Sequence, residues 1–111
     1  MGKTSEIKLN IELDEDKMPV SISWEATDAG FLGKKLAKTM MLSLWDDAEK
    51  ITYSIDLWTK DMLVEDMKKH FHQILLKMAD TFNKATNNTE AAGKFKKFAD
   101  DFLKGLEKAN S

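Results

Sequence analysis

Apolar residues recur at every second position in the first half of this chain and at every third or fourth in the second half. That change of period orders the elements. Ile7, Leu9, Ile11 and Leu13 alternate with Lys8, Asn10 and Glu12, and Val20, Ile22, Trp24 and Ala26 alternate with Ser21, Ser23 and Glu25. Both runs read as half-buried strands, at about 6–13 and 20–26, and the polar turn Asp14–Lys17 between them makes an antiparallel hairpin. A second pair of strands is expected at about 39–45 and 51–58, turning at Asp46–Lys50. Residues 27–38, with Gly30, Gly33 and a basic end, read as a loop with room for a short helical turn.

After Trp58 the period lengthens. Val64, Met67, Phe71, Ile74, Leu75, Met78 and Phe82 form one apolar stripe and predict a helix at about 62–85, with Asp61 as its cap and Glu65 and Asp66 at its positive end. Thr86, Asn87 and Asn88 interrupt it. Thr89 is then placed to cap a second helix at about 90–108, whose stripe is Ala92, Phe95, Phe98, Ala99, Phe102, Leu103 and Leu106. Strands first and helices last imply an α+β fold: a single domain spanning 1–111, with a four-stranded antiparallel sheet carrying both helices on one face in two layers.

Composition narrows the function classes. The chain has 111 residues, 42% hydrophobic and 32% charged, which suits one globular domain. Its net charge is -2, divided as -3 over residues 1–60 and +1 over residues 61–111. Every basic side chain is Lys, so neither a concentrated basic field nor the bidentate donors of Arg are present, and nucleic acid is not an expected partner. Cysteine is absent, which excludes disulfides, thiol catalysis and thiolate metal sites. No apolar run fits a signal peptide or a membrane span, so a cytoplasmic location without membrane insertion is expected.

No catalytic, metal or cofactor site emerges. His70 and His72, the only histidines, lie about 200° apart on a helix and cannot grip one ion together. The acidic groups at Asp14–Asp16 and at Asp46, Asp47 and Glu49 lack calcium-loop spacing, and Gly30 and Gly33 lack the spacing of a phosphate cradle. The distinctive residues are apolar. If Leu42, Leu44, Tyr53, Ile55 and Leu57 face inward, the opposite face of the second hairpin carries Met41, Trp45 and Trp58, with Met41 opposite Asp56 and diagonal to Trp58. Large apolar groups on the outer face of a sheet suit a protein-interaction surface, formed here by Met41, Trp45, Asp56 and Trp58. The other reading has the 27–38 loop, with Phe31 and Leu32, folding over them. A partner on this surface could equally be a second copy of the chain.

The blocks SEIKLNIELDED, MPVSISW, MMLSLWDDAEK, SIDLWTKDM and VEDMKKHFHQILLKMADTFNKAT resemble, in this order, the gliding motility protein GldC family of Bacteroidetes. Leu63 stands where the family pattern has Pro. The resemblance implies a small soluble cytoplasmic protein tied to the gliding machinery and to the protein secretion system coupled to it. It implies no enzymatic activity and no cofactor. On this expectation the chain is an accessory or adaptor protein whose partners are gliding or secretion components. The alternatives are a chaperone-like carrier for an exported or membrane-associated motility component and, behind that, a small-ligand-binding domain.

Overall fold

The computed structural model describes residues 2–109, which divide into two compact units meeting between Met62 and Leu63 in the sequence. The first unit contains all the strands: β1 (Ile7–Leu13), β2 (Pro19–Ala26), β3 (Lys35–Ala37), β4 (Thr39–Asp46) and β5 (Ile51–Trp58). The second holds α1 (Val64–Thr86) and α2 (Thr89–Ala109). The α+β class and the two C-terminal helices agree with the sequence reading.

The single four-stranded sheet does not form. The strands make a three-stranded antiparallel sheet, β1-β2-β3, and a two-stranded antiparallel ribbon, β4-β5. The cause lies at Lys38. The segment expected to be loop includes β3, and this short strand runs into β4 through a bend at Lys38. The stretch before the bend pairs with β2, through Ile22↔Ala37 and Trp24↔Lys35. The stretch after it pairs with β5, from Thr39↔Trp58 to Asp46↔Ile51. One run of chain is thus shared between two sheets.

The first hairpin forms as the alternation predicts. Ile7↔Ala26, Leu9↔Trp24 and Ile11↔Ile22 place the apolar residues of both strands on one face, and a bulge follows at Glu12/Leu13. Its turn is an Asx structure: the Asp14 carboxylate accepts hydrogen bonds from Asp16 N–H at 2.8 Å and Met18 N–H at 3.0 Å, while Lys17 takes a left-handed φ of 64°. Asp46 plays the same part in the ribbon, accepting from Glu49 N–H at 2.8 Å, with Lys50 at φ 60°. In the 27–38 segment Gly30 and Gly33 both sit at φ 81°, where a side chain would be strained. Ile22 is the largest fully buried side chain, at 1% exposure.

In the second unit α1 and α2 form a hairpin. Ala79, Ala92 and Ala99 are buried, and the Phe82 and Phe95 rings meet across the helices with centroids 5.5 Å apart. The expected caps are not the ones used. The residue before α1 is Leu63, which makes no side-chain capping bond. Before α2 it is the Asn88 side-chain oxygen, not Thr89, that accepts from Ala91 N–H at 3.0 Å. Asn87 ends α1 in the left-handed conformation, its N–H donating to Asn83 O at 2.7 Å.

Candidate functional site

Asp61 is not a cap because its carboxylate is engaged elsewhere. It accepts from Lys38 Nζ at 2.5 Å and from the Thr59 hydroxyl at 2.6 Å. Both bonds hold its pKa below the ordinary aspartate value, the Lys38 bond contributing most. Beside it, Thr59 N–H donates to Lys38 O at 2.8 Å and Lys60 N–H to Pro19 O at 3.3 Å. The Lys60 ammonium pairs with Asp14, whose pKa is lowered chiefly by that contact and next by the Met18 N–H. Thr59 is only 3% exposed. The end of β5, the bend at Lys38, the start of β2 and the first turn therefore meet in one polar knot around a buried threonine. The sequence sets Thr59, Lys60 and Asp61 within the block SIDLWTKDM and carries no sign of this knot. Its partners lie more than twenty residues away in sequence, and only Thr59–Asp61 is local.

Beyond the knot, the ribbon carries the residues singled out by their alternation. Met41 pairs directly with Asp56, Thr39 with Trp58 and Trp45 with Thr52. Met41, Trp45, Asp56 and Trp58 thus share one face, and all four are exposed, Trp45 to 62% and Trp58 to 55%. The 27–38 segment does not shield the two tryptophans. Phe31 instead lies edge-on to Trp24, with centroids 5.1 Å apart, under the Lys35 ammonium at 4.5 Å, and Leu32 is fully exposed. The opposite face of the ribbon, expected to be inward, is also open. Leu44, Tyr53 and Ile55 are each more than half exposed, while Leu42 and Leu57 are half-buried. The Tyr53 hydroxyl donates to Glu49 at 2.8 Å, and that bond to a carboxylate raises its pKa.

An open hollow of about 290 Å³ lies within the first unit, where Ile7, Leu9 and Trp24 of the three-stranded sheet meet Ala37, Met40 and Leu42 near the bend. Its lining is predominantly apolar and it gathers no titratable groups.

His70 and His72 both lie in α1. Each has an Nε2 shielded from solvent with no hydrogen-bond partner. Among the described residues no three His, Cys, Asp or Glu side chains gather closely enough to hold a metal ion. No helix among them is long and apolar enough to cross a membrane.

No curated protein and no solved structure matches the chain at a significant level. A family model described as gliding motility-associated protein GldC-like matches residues 19–108, from the first residue of β2 to the last turn of α2. The match takes in the ribbon, both helices and all of the knot except Asp14 and Met18 of the first turn, and this chain belongs to the GldC-like family of gliding motility-associated proteins.

Proposed function

We propose that the chain serves gliding motility as a non-enzymatic accessory or adaptor protein, binding a gliding or secretion component through the ribbon face that bears Met41, Trp45, Asp56 and Trp58. The observation that carries this reading is the exposure of two tryptophans and a methionine on one face of a two-stranded ribbon. Tryptophan combines a large apolar area with an N–H donor, and such residues dominate binding energies at protein interfaces. Asp56, the only charge within β5, supplies an acceptor in the middle of the patch. The GldC-like family is not a known enzyme family, which accords with action by contact. We place this action in the cytoplasm.

Crosslinked capture of the tagged protein at native level from a gliding bacterium tests the reading. The expected result is enrichment of motility or secretion components, lost when Trp45 and Trp58 are both replaced by Ser. Undiminished capture by a folded double variant would remove the surface from consideration.

The apolar hollow by Trp24 and Met40 favours a second reading, a chaperone-like carrier that holds an extended apolar segment of a client. That reading predicts protection of an unfolded motility component from aggregation by the purified chain. Absence of protection for any such component would discard it.

A further inference from the structure

Two edges of the first unit, β1 and β5, are built differently. β1, at the rim of the three-stranded sheet, has Lys8 and Glu12 and a bulge at Glu12/Leu13. Charges and bulges of this kind discourage edge-to-edge pairing. β5 reads ITYSIDLW, without lysine, proline, glycine or bulge, and among the described residues its only strand partner is β4. The direction of its free backbone groups follows from the ladder. Thr59 N–H donates to Lys38 O, one step beyond the Thr39↔Trp58 pair. Lys38/Thr59 is therefore a hydrogen-bonded pair, and so in alternation are Met40/Leu57, Leu42/Ile55 and Leu44/Tyr53. Thr52, Ser54, Asp56 and Trp58 consequently turn their N–H and C=O groups away from β4. At the carboxyl end the next outward donor, Lys60 N–H, is already taken by Pro19 O. Within this edge the stretch from Thr52 to Asp56 is symmetric about Ser54, with Trp58 beyond it at the carboxyl end.

We infer that this edge pairs with the same edge of a second copy, antiparallel about a two-fold axis at Ser54, joining two ribbons into one four-stranded sheet. In that register Ser54 meets Ser54 of the other copy, and Thr52 meets Asp56. Every outward donor and acceptor of the stretch is matched. The single charge faces a hydroxyl rather than its own copy. On the opposite face Tyr53 meets Ile55, an aromatic against a β-branched side chain, which is a favourable cross-strand pair. A two-stranded ribbon with both faces open is marginal alone, and four strands relieve that. Identical patches about a two-fold are the commonest way for soluble chains to associate. This inference does not rest on the motility reading, because it uses the backbone edge and needs no other protein.

Sedimentation of the purified full-length chain over a wide concentration range tests it. The expected species is a reversible dimer. Ser54→Pro removes an outward N–H without breaking the ladder to β4, and should weaken the dimer about tenfold or more. Ser54→Lys and Ser54→Glu each put like charges on the axis and should be monomeric, whereas mixing them should restore a heterodimer. That rescue also decides the matter if the proline variant fails to fold. A wild-type chain that is monomeric at every concentration would overturn the inference and assign the edge to an extended segment of another protein. A dimer that survives both Ser54→Lys and Ser54→Glu would overturn it equally.

Discussion

The polar knot at Thr59 and the ribbon that leads into it put opposite chemistries on adjoining residues. In the knot, polar groups from distant parts of the first unit satisfy one another around a side chain with almost no exposure. In the ribbon, tryptophans, a tyrosine and branched aliphatic residues stand in solvent on both faces. Thr59 is the buried member, and breaking its bonds would leave a buried polar group unsatisfied, whereas the Lys38–Asp61 pair beside it stays open to solvent and contributes less. Exposed apolar groups contribute little to holding the fold that presents them and are free to be buried by something else. The knot therefore belongs to stability and the ribbon to recognition, and Trp58 and Thr59 are adjacent residues on either side of that division.

Substitution at the core should set the upper limit of this contrast. Ile22→Ala, at the most buried large side chain, should cost about 2–5 kcal/mol in urea unfolding. A loss under about 1 kcal/mol would mean that the centre of the first unit lies elsewhere. Thr59→Val, which keeps the shape but removes the hydroxyl, should cost about 1 kcal/mol in the same assay. The acidic partners give the knot a pH signature. Asp14 and Asp61 have lowered carboxyl pKa values in the folded chain, so their contribution is complete above the unfolded value of about 3.9 and disappears as pH falls through the lower folded values. The unfolding midpoint should hold steady from neutrality down to about pH 4 and then fall, less steeply in an Asp14→Asn, Asp61→Asn double variant. An identical acid limb in that variant would separate the knot from acid stability. The smallest effect belongs to the ribbon. Trp45→Ser and Trp58→Ser should each change stability by no more than about 0.5 kcal/mol, since their side chains stay in solvent. A loss above about 2 kcal/mol from either would place that tryptophan in the core and erase the contrast.

The β1–β2 and β4–β5 registers are legible in the sequence because alternation of period two fixes which residues share a face, and the same rule gathers Met41, Asp56 and Trp58 together. Alternation says nothing of what covers a face. Leu44, Tyr53 and Ile55 are inward by pattern alone, and in the fold they are open. β3 leaves no sequence signal because Lys35–Ala37 has only one large apolar residue, too short a run to show a period. The bend at Lys38 then turns an expected single sheet into a sheet and a ribbon. Asp61 looks like a helix cap by local rules, but its carboxylate is drawn off by Lys38, a partner 23 residues away that no local rule can find. The family blocks mark the right residues around the knot and the ribbon without giving their physical roles.

The placement of the three tryptophans also decides what the chain's own fluorescence reports. Trp24 is half-buried against the Phe31 ring, whereas Trp45 and Trp58 are each more than half exposed on the ribbon. Two of the three emitters are already more than half exposed, so melting the fold should shift the emission less than it would for three buried indoles. Covering the ribbon removes water from both indoles and should move the spectrum to the blue. The native chain thus carries a built-in optical readout that responds more to association than to folding.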